Sequence, residues 1–101
     1  MLRSVVVIYE VQIQEVDPAR RDEYMNKYSQ SLHAANLPGC DGGMIMKCIE
    51  EPGRVLVLIG WDSVEAHKSC TKTEAHAKFK DGYKGYQTAP SIGGHYFFQE
   101  M

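Results

Sequence analysis

Four histidines, His33, His67, His76 and His95, stand out among the side chains that could do chemistry. Imidazole has an ordinary pKa near neutrality, so each is a candidate to take or give a proton. His67 and His76 fall in predicted helical segments, where local packing or capping is the competing role. His95 opens the predicted last strand, a common place for a structural residue, and His33 lies on the predicted first helix, where solvation is expected. Trp61 ends a predicted strand and could stack on a flat aromatic molecule or donate its indole N–H; sealing sheet to helix is the alternative. Tyr9 on the first predicted strand, and Tyr83 and Tyr86 near the end of the last predicted helix, could bring phenols to the same place or serve ordinary packing. A base, an apolar enclosure and hydrogen-bond donors are what deprotonation of an acidic carbon or phenol requires. Metal chemistry is disfavoured: His67, Cys70 and His76 could share a helix face, but no fourth ligand stands at a recognised spacing.

The elements that must position these groups follow from periodicity and punctuation. Ser4 to Gln14 is rich in β-branched residues and alternates in its second half, which predicts a strand. Asp17-Pro18 supplies an N-cap and a first-turn proline, and apolar or aromatic residues at Tyr24, Met25, Tyr28, Leu32 and Ala35 predict an amphipathic helix over Ala19 to Ala35. Asn36-Leu37-Pro38-Gly39 stops it. Met44 to Ile49 and Arg54 to Trp61 then read as two strands of a hairpin about Glu51-Pro52-Gly53. Asp62 with Glu65 has the form of a capping box, so helical structure is expected over Ser63 to Thr71 and, after a break, Glu74 to Tyr86. His95 to Glu100 is the predicted last strand. This order is that of a ferredoxin-like βαββαβ fold, class α+β, with one antiparallel sheet and helices on one face, spread over a single domain 1–101. Val5 to Ile8, and Val55 to Ile59, put apolar side chains on both faces of that sheet. A sheet with one wet face alternates instead, so a second copy is expected to cover the other face in a homodimer.

Composition limits the classes of function. With 101 residues there is room for one core and none for a separate cofactor module. A content of 44% hydrophobic and 24% charged residues is ordinary for a folded globular chain. Eleven Lys plus Arg against thirteen Asp plus Glu give a net charge of -2, too little field of either sign to expect nucleic acid as a partner. Lys68, Lys72, Lys78, Lys80 and Lys84 read as a solvated helix face, with steering of an anionic substrate as the sharper alternative. The longest apolar run, Val5 to Tyr9, is too short to span a membrane, and a single Arg3 before it does not make a signal peptide. Cys40, Cys48 and Cys70 are an odd set without CxxC spacing, so reduced thiols in a cytoplasmic setting are expected.

Several of these segments resemble a known family. Leu37-Pro38-Gly39, Glu51-Pro52-Gly53-Arg54, the strand end Gly60-Trp61, Asp62-Ser63-Val64-Glu65-Ala66-His67 and Thr73-Glu74-Ala75-His76-Ala77-Lys78-Phe79 are similar to segments of the antibiotic biosynthesis monooxygenases, dimeric α+β barrels. The resemblance runs from about Val5 to Phe98. It implies a pocket between sheet and helices that holds a polycyclic phenol, anthrone or quinol, which reacts with O2 as co-substrate without flavin or metal. It also makes His76 the first choice for the base, since this position looks like the catalytic histidine of plant polyketide cyclases built on the same barrel. His67 is second, Trp61 resembles the family's strand-end tryptophan, and with it Tyr9, Tyr83, Tyr86 and His95 are candidate substrate-binding positions. Where the actinorhodin-type enzyme carries an asparagine four residues before its tryptophan, this chain has Val57. A haem-degrading branch of the superfamily uses a helix tryptophan and an axial histidine; Cys70 and Lys80 stand there instead, so haem is disfavoured. A polyketide cyclase using His76 as base and a non-catalytic small-molecule binding dimer are the rival expectations.

Overall fold

The computed structural model describes residues 8–101. The predicted first-strand residues Ser4 to Val7, including three of the valines expected to be apolar on both faces, lie outside the described residues. The elements are β1 (Ile8–Glu15), a 3-10 turn (Pro18–Arg20), α1 (Arg21–Ala35), β2 (Cys40–Lys47), β3 (Arg54–Trp61), α2 (Val64–Cys70), α3 (Glu74–Tyr83) and β4 (Ile92–Tyr96). The strands form one sheet in the order β2-β3-β1-β4, with every neighbouring pair antiparallel. This is the expected ferredoxin-like α+β arrangement.

Local chemistry explains where several boundaries differ from expectation. Asp17 Oδ1 accepts the Ala19 N–H at 2.9 Å, but what it caps is the 3-10 turn, and α1 proper starts at Arg21. Asn36, in the left-handed region at φ 48°, ends that helix. The cap of α2 is Ser63 rather than Asp62: the Ser63 hydroxyl accepts the Ala66 N–H at 3.0 Å. Strand β2 runs earlier than Met44 to Ile49. Lys47 is its last residue paired with β3, and Ile49 lies in the hairpin turn, 93% exposed. Helix α3 stops at Tyr83 because Lys84 is extended and Gly85 sits at φ 92°, a conformation that favours glycine. Strand β4 covers Ile92–Tyr96, not His95 to Glu100, since its partners on β1 are Tyr9 through Ile13.

The helices cover one face of the sheet. Val55, Val57, Ile59 and Trp61 of β3 point at them and are buried with Tyr24 and Tyr28 of α1, Cys70 of α2 and Phe79 of α3. Side chains of directly opposed strand residues share a face. The register Ile8↔Trp61, Glu10↔Ile59, Gln12↔Val57 and Gln14↔Val55 therefore turns the polar residues of β1 inward, toward the helices. Its apolar residues Tyr9, Val11 and Ile13 face the other side with Leu56 and Leu58. A half-covered sheet normally hides its apolar set beneath the helices. On β1 that polarity is reversed, and the reversal builds the site.

Candidate active site

A cleft of about 610 Å³ opens between the sheet and the α3 side of the helical layer. Glu10, Gln12 and Gln14 form its floor, Tyr28, Phe79 and Tyr83 its aromatic wall, and His67 and His76 reach it from α2 and α3. The volume is in the range that encloses small organic molecules.

Glu10 is the centre of the polar network. Its Oε1 accepts the Trp61 indole N–H at 3.0 Å and lies 3.2 Å from His67 Nε2, while its Oε2 accepts from Gln12 Nε2 at 2.8 Å. The side chains of Glu10 and His67 are each only 13% exposed. The His67 ring stacks on the indole of Trp61, with centroids 4.5 Å apart and planes 20° apart, and its Nδ1 lies 2.7 Å from His95 Nε2. Two lone pairs would repel at 3.2 Å, so His67 Nε2 carries the proton that faces the carboxylate. In neutral His67, Nδ1 is then an acceptor, and His95 Nε2–H is the donor.

Burial lowers the His67 pKa; the Glu10 carboxylate pulls the other way and His95 adds to the lowering. His76 is lowered as well, first by burial and then by the Lys80 ammonium. Both rings are therefore neutral at pH 7, the state in which an imidazole can accept a proton. Thr73 starts α3, its hydroxyl accepting the His76 backbone N–H at 3.2 Å, and the His76 ring meets the edge of Phe79 with centroids 5.9 Å apart. Among the described residues no hydrogen bond reaches the His76 ring, whereas both nitrogens of His67 face partners.

The wall is an aromatic stack shared by α1 and α3, with Tyr28 and Tyr83 centroids 4.5 Å apart and Phe79 and Tyr83 centroids 5.0 Å apart. Burial pushes the Tyr83 phenol up to about 12 and raises Tyr28 further, so both remain O–H donors. Below them Tyr24 O–H donates to Gln14 Oε1 at 2.5 Å, which satisfies an amide only 2% exposed.

The structure thus joins His67, His95 and Trp61 in one network and sets His76 and Tyr83 on the same cleft. Two expected site residues lie elsewhere. Tyr9 is on the opposite face of the sheet, edge-on to Phe98 at 5.0 Å, because the two-residue period of β1 puts it out of phase with Glu10. Tyr86 follows the end of α3 and packs against Tyr24 of α1, ring centroids 5.4 Å apart, where its hydroxyl bonds Glu23 and the Arg20 guanidinium sits 4.2 Å from its ring centroid. His33 lines a second cleft of about 410 Å³ between α1 and β2, away from the other histidines. Sequence reasoning did not pick out Glu10, Gln12 or Gln14. The signal was the polar set at every second position of a central strand. Among the described residues no group of three His, Cys, Asp or Glu is placed to hold a metal ion, and no helix is long and apolar enough to cross a membrane.

A family model described as antibiotic biosynthesis monooxygenase matches residues 5–82. The chain belongs to that family. Solved structures of proteins named for the antibiotic biosynthesis monooxygenases share its fold. One from Bordetella bronchiseptica has a TM-score of 0.82 at 19% identity, covering 96% of this chain and 99% of the other. One from Caulobacter crescentus has a TM-score of 0.75 at 21% identity, with 94% and 92% covered. A third, from Nitrosomonas europaea, has a TM-score of 0.75 at 11% identity, with 97% and 95% covered. At these identities the likeness speaks for the monooxygenase-family fold alone. No curated protein matches the sequence.

Proposed function

We propose that this family member is a monooxygenase without a bound cofactor, oxidising an anthrone, quinol or polycyclic phenol of polyketide type to a quinone with O2. The observation that carries the reading is the pairing, across one cleft, of two imidazoles held neutral by burial with an aromatic wall of Tyr28, Phe79 and Tyr83. His76 takes a proton from the acidic carbon or phenol, and the electron-rich anion reduces oxygen directly. The enzyme contributes the base, the enclosure and groups that hold the anion. Gln12 supports this last role: it pairs with Val57 across β1 and β3 and lines the cleft, so a carboxamide stands beside the position where the resemblance expects one.

The active form in this reading is a homodimer. Tyr9, Val11, Ile13, Leu56 and Leu58 make the sheet face away from the helices apolar, Met44 and Met46 extend it on β2, and these two methionines are exposed. Three free cysteines fit a reducing, cytoplasmic setting.

The test is to incubate the purified protein with a panel of anthrones and quinols while recording dissolved oxygen and quinone absorbance. Oxygen uptake lost in His76→Ala supports the assignment, and uptake that survives in this variant removes His76 from the mechanism. Conversion of a polyketide substrate without oxygen consumption would replace the monooxygenase with a cyclase.

A further inference from the structure

We propose that Glu10, His67 and His95 form a relay that carries a proton from solvent inward to the cleft, with Glu10 as its last donor. The inference rests on the monooxygenase reading for its chemical purpose and on hydrogen-bond polarity for its direction. A chain of hydrogen bonds passes protons along the sense in which its donors point. With the tautomers assigned above from the carboxylate, His95 Nε2–H donates to His67 Nδ1 at 2.7 Å, and the proton on His67 Nε2 faces Glu10 Oε1 at 3.2 Å. Both donors point toward the carboxylate. The outer end is open, because His95 is exposed, and the inner end lines the cleft, because Glu10 is part of its floor. A proton arriving at His95 Nδ1 thus releases the one on its Nε2 to His67, which in turn releases its Nε2 proton to Glu10.

The surroundings keep this path in register. Trp61 stacks on His67 and donates to the same carboxylate oxygen, so ring and acceptor are fixed by one residue. Gln12 holds the other oxygen from below. Gly93, opposite Gln12 on β4, leaves room for this carboxamide: a Cβ there would come within 3.1 Å of both Gln12 Cδ and Nε2. Among the charged and titratable groups that bear on the site, Glu10 favours a cation on His67, while His95 opposes it. At His76, Lys80 of the same helix and His67 oppose a cation, while Glu10 favours one.

The reaction has a use for such a donor when the reacting centre is a methylene. His76 removes one C–H proton. The carbanion passes one electron to O2, and the radical pair joins through a C–O bond as a peroxide anion. Glu10, a carboxylate at rest, receives a proton through His95 and His67 as that anion forms, gives it to the anion and returns to carboxylate. His76, having released its first proton at the open mouth, takes the second C–H proton as the O–O bond breaks and C=O forms. Hydroxide leaves with that proton as water. The overall change is CH2 plus O2 to C=O plus H2O. The substrate class that needs this relay is thus the anthrone type rather than the simple quinol.

Two measurements test it, the first without any substrate. Nitrogen-15 imidazole spectra should show His67 and His95 as Nε2–H tautomers, and Glu10→Gln should lower the His67 titration midpoint by about one pH unit. A proton found on Nδ1 of His67, or a midpoint unmoved in Glu10→Gln, overturns the relay. In the second, Glu10→Gln with an anthrone should slow quinone release at least tenfold, and more than oxygen uptake, so that hydroperoxide accumulates, on the order of what one acid–base group contributes. His95→Ala should show the same split and recover in imidazole buffer. Oxygen uptake and quinone release falling together, with no hydroperoxide, would overturn the donor role. A wild-type protein that consumes no oxygen would sink the monooxygenase reading, while the spectra still decide the relay.

Discussion

His76 and His67 divide the work of the cleft by what surrounds their rings. His76 has Phe79 and Lys80 near it and open space in front; His67 is clamped between Trp61, Glu10 and His95. In the proposed mechanism His76 is the base, so replacing it with Ala should cost on the order of 100-fold or more in oxygen uptake, measured with a polarographic electrode. The pH profile of kcat/KM should fall on the acid side, at a pH below the ordinary histidine value of 6.5, since both pKa values are lowered and the neutral form is the active one. Stability should move in the same sense. Above pH 6.5 both rings are neutral whether folded or not; as pH falls below it, the unfolded chain takes up protons first and the folded state loses ground until its own lowered values are passed. Urea midpoints at pH 7.5 and 5.5 check this, and a higher midpoint at the lower pH would contradict the burial of these rings.

At the scale of elements, the cleft depends on how closely α3 approaches α1. Gly82 makes this approach: a Cβ there would sit 2.1 Å from Ser31 Oγ and 2.8 Å from Ser31 Cβ. The serine hydroxyl can rotate away, but its Cβ cannot, so Gly82→Ala should push the helices apart and cost about 1–3 kcal/mol in chemical denaturation. Phe79 lies in the same contact, packed on Tyr28 with centroids 5.3 Å apart. Phe79→Ala should cost about 3–5 kcal/mol and also open the wall of the cleft, which binding of a fluorescent anthrone analogue would report as a higher Kd. Helices α2 and α3 each start on a hydroxyl cap, Ser63 and Thr73, and these caps fix the two helices that carry His67 and His76.

For the whole molecule, the question is what covers the second face of the sheet. Leu58 lies opposite Val11 at the centre of that face, next to Tyr9 and Phe98. Leu58→Glu should place a charge in the contact between copies and shift the protein from dimer to monomer in sedimentation experiments, with a Tm that no longer rises with concentration. A wild-type chain that sediments as a monomer at micromolar concentration would remove the assembly from the proposal. The proposed dimer contact and the cleft use opposite faces of one sheet, so in that reading the alternation of β1 serves both. Its apolar positions lie on the face away from the helices, where Phe98 covers Tyr9, and its polar positions line the cleft.

The sequence by itself determined the order of elements, the antiparallel hairpin about Pro52-Gly53, the family, and the histidines and tryptophan worth examining, because periodicity, turn chemistry and residue type are local properties. It also held the alternation of β1, but alternation states only that residues 9, 11 and 13 oppose 10, 12 and 14. Which set lies under the helices was decided by the pairing of β1 with β3 and β4, a contact between segments some 50 and 85 residues apart along the chain. That pairing carried Tyr9 out of the site and brought Glu10 into it. It also placed His95 within reach of His67, since three side chains on three separate elements meet only when the sheet and its covering helix close on one another.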